Sequence, residues 1–216
     1  MLSTKSDMKT LVGLFHKGRR LTYSKGEFII RPGESPPGVF YIESGLVKAY
    51  DITKYGEENL LVIRKKGDIL ALTWAITGED RSIIYSALRE TVVWEISQPK
   101  FEEYLHSHPE ASLPLIDLLT YMYRTHSERI LSLEYRTVRE RLISFLLSAS
   151  RQFGKPMANR STLIDAPLKH QDIASSINSS RETTSREMAY LERKGLVSSE
   201  QSYVTIKDKE ALEKYL

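Results

Sequence analysis

The sequence predicts an α+β chain with a β-rich N-terminal half of sandwich or barrel type, a long helix, and a C-terminal winged helix-turn-helix. Three observations lead there. Residues 19–97 carry short apolar runs separated by glycine-marked turns. Residues 98–152 lose that punctuation and repeat their apolar residues at helical spacing. Residues 168–206 read as short helix, tight turn, second helix and hairpin.

In the first stretch, Phe28-Ile29-Ile30, Val39-Phe40-Tyr41-Ile42, Leu46-Val47-Lys48-Ala49-Tyr50, Leu60-Leu61-Val62-Ile63 and Val92-Val93-Trp94-Glu95-Ile96 are strand-type runs. β-branched and aromatic residues pack well on a pleated surface, and closely spaced strands of this kind build sandwiches and barrels. Pro32-Gly33 and Pro36-Pro37-Gly38 punctuate the turns. Trp74, Tyr85 and Trp94 are assigned to the core.

Pro109 and Pro114 mark the entry to a long helix over about 109–133. Ile116, Tyr123 and Ile130 recur every seven residues, with Leu119, His126 and Leu133 as a second row beside them. Two such rows form the seam along which two helices pack. Periodicity leaves two partners open: a second copy of the chain, or the chain's own β domain. A further helix over 136–153 presents Leu142, Phe145, Leu146 and Ala149 on one face and stops at Gly154, with residues 154–167 as a loop. A hinge near Glu134–Thr137 divides the chain into 1–135 and 136–216.

Composition sets the bounds. With 216 residues and 41% hydrophobic content the chain can bury a real core. A net charge of +3 permits nucleic-acid binding without arguing for it, because local charge decides. The absence of cysteine excludes disulfides, thiolate zinc sites, Cys-ligated iron–sulfur clusters and cysteine nucleophiles. No apolar run approaches the roughly 18 residues that span a bilayer. Met1–Lys9 is polar and holds no signal core, so a soluble cytoplasmic protein without membrane association is expected. No glycine-rich phosphate loop, nucleophile elbow or H-E-x-x-H motif is present, so no enzyme is expected. His16, His106, His108 and His170 lack metal-ligand spacing, and His106-x-His108 reads as a helix-entry loop. No metal site follows.

Leu168–Ile206 carries the most chemistry. Gln171–Ile177 reads as a short helix with Ile173, Ala174 and Ile177 inward. Asn178-Ser179 makes the turn, since asparagine tolerates the left-handed backbone. Ser180 suits an N-cap, although Ser179 and Glu182 have capping-box spacing one residue earlier. The next helix runs to Lys194 and stops at Gly195, with Thr184, Met188 and Leu191 facing the core. Arg181 and Ser185, and Glu182 and Arg186, are four apart, so all four project from one exposed surface near the N-terminus, the part of a recognition helix that enters a major groove. Arginine can donate two parallel bonds to guanine, and glutamate can accept from cytosine N4. Glu182 is also expected to brace Arg186. Lys169, His170, Gln171, Ser180 and Thr183 are placed for phosphate contacts, which set register. The same charges also suit a solvated helix face with internal ion pairs. Leu196–Ser198 and Tyr203–Ile206 form the wing, and Asp208–Leu216 a closing helix.

With these residues in place, the chain resembles the cyclic-AMP receptor protein / fumarate-nitrate regulator superfamily over nearly its whole length. Ser180-Arg181-Glu182-Thr183-Thr184-Ser185-Arg186 is similar to that family's Arg-Glu-Thr-x-x-Arg helix, and Ser185 matches the Glu-x-x-Ser-Arg pattern of the fumarate-nitrate branch. Gly26-Glu27, Ile30, Pro32-Gly33, Tyr41-Ile42, Gly45, Val47-Lys48 and Gly67-Asp68 follow its β-roll. The resemblance implies a cyclic-nucleotide-binding-like β-roll sensor, a dimerisation helix and a DNA-binding domain. It implies that Ile116, Leu119, Tyr123, His126, Ile130 and Leu133 join two copies, and that Arg181, Glu182 and Arg186 read a TGTGA-like half-site. A symmetric dimer then predicts a palindromic operator in double-stranded DNA. An activator of this kind would also touch RNA polymerase. A competing reading keeps the β-roll as a sensor that acts through protein–protein contacts, without specific DNA binding.

The resemblance also bears on the effector. Nucleotide-binding members use Gly-Glu-Leu and a downstream Arg-Ser or Arg-Thr. Here Arg81-Ser82 remains, but the upstream segment reads Ala71-Leu72-Thr73. Leu72 supplies no carboxylate for the ribose hydroxyl, and an unmet buried polar group costs about 1–3 kcal/mol. Binding of cyclic AMP in the usual manner is therefore disfavoured, and the effector, if any, is unknown. Arg81 reads either as an anion ligand or as a turn residue paired with Glu79 or Asp80. His126-Ser127 stands where a cyclic-AMP binder has Thr-Ser. His126 reads as a hydrogen-bonded interface residue, a pH-sensitive contact, an effector contact or a haem ligand. No cofactor is expected.

Overall fold

The computed structural model describes residues 2–79 and 82–216. It divides into two compact units, Met1–Asp51 with Leu61–His126, and Ile52–Leu60 with Ser127–Leu216.

The first unit opens with α1 (Lys5–Phe15), an element with no counterpart among the expected ones. Thr4 caps it: its side chain accepts from the Ser6 and Asp7 amides, and Asp7 reaches back to the Thr4 amide at 2.7 Å. Then come β1 (Arg19–Tyr23), β2 (Phe28–Ile30), β3 (Val39–Ser44), β4 (Leu46–Ile52), β5 (Glu58–Lys65) and β6 (Ile69–Leu70). They are followed by α2 (Leu72–Thr77), β7 (Ile84–Ala87), β8 (Thr91–Ile96), α3 (Gln98–Ser107) and α4 (Ser112–Tyr135). The strands form two four-stranded sheets, ordered β1-β8-β3-β6 and β2-β7-β4-β5. The expected β-roll is thus present, with a short helix, α2, inside the stretch read as β.

Strand alternation separates two cores. On β3, Phe40 and Ile42 face the space between the sheets with Ile30, Val47, Ala49, Leu70 and Val93. Val39 and Tyr41 point to the opposite face, where α1, α2, α3 and the start of α4 supply Leu11, Phe15, Leu72, Phe101 and Leu115. Full burial of each such side chain contributes on the order of 1.5–3 kcal/mol. Gly45 sits at φ 100°, and a β-carbon there would collide with Thr91, so the β3–β4 turn requires glycine. Of the three aromatics assigned to the core, Tyr85 is buried, but Trp74 and Trp94 are only half-buried. Trp94 keeps its indole N–H at the surface, donating to Glu43 at 2.7 Å, with the His16 ring 4.8 Å away. His106 lies in the last turn of α3 and His108 follows it, stacked on Tyr104 at 4.3 Å, so this pair ends a helix before the next begins.

The second unit contains α5 (Val138–Phe153), β9 (Gly154–Pro156), β10 (Thr162–Ile164), α6 (His170–Ser176), α7 (Arg181–Arg193), β11 (Val197–Glu200), β12 (Tyr203–Ile206) and α8 (Lys209–Glu213). Segment 52–60 joins it through Leu60, whose amide donates to Ser175 Oγ at 3.1 Å and whose carbonyl accepts from Arg129 at 3.3 Å. Thr137 and Glu140 form a capping box that starts α5 after the break at Arg136. The buried face of α5 is Leu142, Ile143, Leu146, Leu147 and Ala149. Phe145, assigned to that face, is half-buried, because the stripe is rotated toward Ile143 and Leu147. Residues 154–167 are not merely a loop: β9 and β10 extend the hairpin into a sheet ordered β11-β12-β10-β9. Gly154 ends α5 without the left-handed turn expected of a stop glycine; its φ is −69°. Glycine is needed there because a β-carbon would strike the Ser150 carbonyl.

The N-terminal segment is pinned to α4 by Asp117. Its carboxylate accepts from the Ser3 hydroxyl at 2.6 Å and from the Leu2 and Ser3 amides at 2.8 Å each. These bonds, the Ser3 hydroxyl first, hold the Asp117 carboxyl down to about 2 from an ordinary value of 3.8. A depressed folded-state value stabilises the fold above the unfolded value, and that contribution is lost as pH falls through the folded one. We predict that Asp117→Asn lowers the thermal midpoint at pH 6, and that its difference from the parent closes between about pH 4 and pH 2. Melts followed by circular dichroism across that range check this; a gap that does not depend on pH would contradict it.

Candidate nucleic-acid interface

The second unit builds one charged surface from two helices and a hairpin. α6 buries Ile173, Ala174 and Ile177, as expected from their spacing. Lys169 precedes it, and the Lys169 amide donates to Asp172 at 3.2 Å. Asn178 adopts φ 50°, the left-handed conformation anticipated for the turn, and the Ser179 amide donates to the Ala174 carbonyl at 2.9 Å. The cap of α7 falls on Ser180, not Ser179: the Ser180 hydroxyl accepts from the Thr183 amide at 3.1 Å. Thr184, Met188 and Leu191 are buried, and Gly195 follows the helix at φ 70°.

With that face buried, Arg181, Glu182 and Arg186 are exposed, and Ser185 is half-buried beside them. Arg186 donates to the Thr183 hydroxyl at 3.2 Å. The expected brace from Glu182 to Arg186 is therefore not made. Among the described residues Glu182 has no hydrogen-bond or ion-pair partner, which leaves its carboxylate facing outward. Ser185 pairs instead with His170, Oγ to Nδ1 at 2.8 Å.

The wing closes the surface. Gln201 and Ser202 turn β11 into β12 with φ values of 48° and 71°, and the Ser202 carbonyl accepts from the Leu168 amide at 2.7 Å. Between wing tip and helices lies a cleft of about 610 Å³, lined by Lys169, His170, Gln171, Arg181, Glu200 and Ser202 among others. Three of the residues expected at phosphates thus share one cleft with the first arginine of α7. Ser180 and Thr183 lie at the α7 cap, exposed and half-buried respectively.

Sequence reasoning missed the brace that fixes the rotation of α7. Arg139 on α5 donates to Glu187 at 2.6 Å and stacks 3.8 Å from the centre of the Tyr190 ring. Glu187 and Tyr190 are three apart on α7, a spacing that shares one face, but nothing in the sequence marks Arg139 as their partner.

The proposed seam residues lie along α4. Ile116, Leu119, Tyr123 and Ile130 are exposed, Tyr123 by 75% and Ile130 by 57%; His126 is exposed and Leu133 half-buried. At the expected effector positions, Leu72 is buried in the outer apolar cluster with Phe101 and Leu115, so its side chain is committed to packing. Thr73 and Ser127 are half-buried, Ser82 is exposed at φ 53°, and Arg81 lies outside the described residues. Sequence reasoning also passed over Arg64. It is buried on β5, its guanidinium reaches the Met122 sulfur at 3.4 Å, and its Nε has no hydrogen-bond partner among the described residues. Among the described residues no cluster of three metal-ligating side chains occurs, and no helix is long and apolar enough to cross a membrane.

Comparison with known proteins finds two family matches along the chain. Residues 20–108 match the cyclic nucleotide-binding domain family, and residues 140–215 match the Crp-like helix-turn-helix domain family. The chain is 30% identical to the global nitrogen regulator of Nostoc sp. over 187 residues, 86% of this chain and 83% of that protein. It is 28% identical over 205 residues to the transcriptional activator protein anr of Pseudomonas aeruginosa, 95% of this chain and 82% of that one. Among solved structures it shares the fold of FixK2 from Bradyrhizobium japonicum, with a TM-score of 0.77, 21% identity, and coverage of 91% of this chain and 96% of that chain.

Proposed function

We propose, from the premise that this chain belongs to the cyclic-AMP receptor protein / fumarate-nitrate regulator superfamily of DNA-binding transcription regulators, that it acts as a cytoplasmic homodimer on a palindromic, TGTGA-like operator. The observation that carries the reading is the outward-facing group Arg181, Glu182 and Arg186 on the first two turns of a capped, exposed helix. A helix that offers two guanidinium groups and one unpaired carboxylate suits guanine and cytosine edges in a major groove. The carboxylate is repelled by phosphates, so a base amino group is its natural partner. Lys169, His170 and Gln171 in the cleft, with Ser180 and Thr183 at the cap, hold phosphates and set register.

The exposed row on α4 supports self-association. Ile116, Leu119, Tyr123 and Ile130 form an apolar stripe that a second copy would cover, with His126 and Leu133 completing it. In this reading residues 1–135 sense and dimerise, and residues 136–216 read DNA. RNA polymerase would be a further partner if the protein activates.

The sensor does not take cyclic AMP in the usual way. Leu72 supplies no ribose partner and is packed in an apolar cluster. Arg64, buried on β5 with its Nε unpartnered among the described residues, is a cation held inside the same domain. Thr73, Arg81, Ser82, His126 and Ser127 remain candidate effector contacts.

Three outcomes follow. Arg181→Ala and Arg186→Ala should each weaken binding to a selected operator by about 5- to 150-fold, while non-specific binding falls far less. Titration against specific and scrambled duplexes by fluorescence anisotropy separates the two, and equal losses on both would refute base reading. Tyr123→Asp with Ile130→Asp should convert a dimer to monomer in sedimentation velocity, because each copy would set a charge in the apolar seam. Cyclic AMP should leave the melting temperature unchanged at millimolar concentration, where a ligand at 100 times its Kd would add about 2.7 kcal/mol.

A further inference from the structure

We infer that His170 sets the hydrogen-bond polarity of Ser185, and through it makes the base preference at one operator position depend on pH. The inference rests on the base-reading role of α7 and goes beyond it. Its basis is the 2.8 Å contact between His170 Nδ1 and Ser185 Oγ, which joins the start of α6 to the base-facing surface of α7. Both side chains are half-buried, so the contact stands at the edge of the cleft and not in free solvent.

A serine hydroxyl carries one proton and two lone pairs, and an imidazole nitrogen either donates or accepts. When Nδ1 is unprotonated it accepts the Ser185 proton. Ser185 then shows only lone pairs to the groove and suits a base amino group, adenine N6 or cytosine N4. When Nδ1 carries a proton it donates to Ser185. The hydroxyl proton is then free and suits an acceptor, thymine O4 or guanine O6 and N7.

The second ring nitrogen selects between these states. Among the described residues Nε2 has no partner. A phosphate oxygen in the cleft would accept a hydrogen bond from Nε2–H, and in the neutral ring that leaves Nδ1 as the acceptor. The cationic ring donates from both nitrogens. Protonating the ring therefore turns Ser185 from acceptor to donor. It also strengthens the phosphate contact, because the donor becomes charged.

The charged groups around His170 come from every neighbouring element. Lys169 and Asp172 lie in its own first turn, Arg181, Glu182 and Arg186 on α7, and Glu200 on the wing. On α5, Arg139 is turned to Glu187 and Arg141 to the Asn178 carbonyl.

The test uses the full chain and a selected operator with all four base pairs placed in turn at the position where Ser185→Ala loses preference. Affinities are measured between pH 5.5 and pH 8. In the parent, the ratio of affinity for an acceptor edge over an amino edge should rise about three- to tenfold as pH falls. His170→Lys, a permanent donor, should hold the low-pH ratio at every pH. Ser185→Ala should show no pH-dependent ratio at that position, and since it leaves α6 intact it stands whether or not the lysine variant folds. A parent ratio that is flat with pH, or a pH-dependent ratio that persists in Ser185→Ala, overturns the inference. If Arg181→Ala and Arg186→Ala abolish specific binding while the Ser185 ratio stays flat, only this inference fails. If those variants also keep full sequence preference, base reading itself fails.

Discussion

The surface described here depends on how α7 is held. Its buried residues, Thr184, Met188 and Leu191, alternate along the helix with the exposed Arg181, Glu182 and Arg186. A helix turns by a fixed angle per residue, so burying one face dictates where the other points. The Arg139–Glu187–Tyr190 brace sets rotation about the helix axis, and the Ser180 cap sets where the helix begins. A shift of one residue in that start would rotate every side chain by about 100°, given 3.6 residues per turn. The left-handed Asn178 makes the turn short enough for α6 and α7 to pack directly.

The electrostatics follow from the same packing. Arg186 is tied to Thr183 on its own helix, a contact that orders the guanidinium without neutralising it. Among the described residues Glu182 has no partner, so the helix keeps an acceptor among donors. A net charge of +3 over the whole chain conveys little of this, because the cations that matter are gathered along one cleft and one helix start. The wing contributes shape and one carboxylate, Glu200, and its turn is tied to the start of α6 by the Leu168–Ser202 bond.

Much of this arrangement was legible beforehand, and the reason is local. Alternation in β3, the helical spacing of Ile173 and Ile177, the Asn178 turn, the Gly195 stop and the 203–206 strand each depend on a few neighbouring residues. Where the reading fell short, the deciding partner was distant in sequence or ambiguous. β9 and β10 are strands because β12 offers an edge to pair with, and three-residue strands leave no periodicity to detect. α2 interrupts the β-roll within six residues, too few to show a helical period. Trp94 packs against the outer core as expected, while its indole N–H stays at the surface on Glu43, beside His16. α1 rests on a capping box at Thr4 and Asp7 that went unread because the segment is polar.

The sequence by itself determined the division into a β-rich half, a long helix and a winged helix-turn-helix, the family resemblance, the turn at Asn178, and the exposure of Arg181, Glu182 and Arg186, since these follow from propensity and spacing along one segment. Tertiary structure decided which partners those side chains take. Arg186 bonds Thr183 and not Glu182, Ser185 meets His170 from another helix, Arg139 locks α7 from α5, and Arg64 lies buried with an N–H unmet among the described residues. Partner choice depends on distances between segments far apart in the chain, and those distances exist only once the cores have packed.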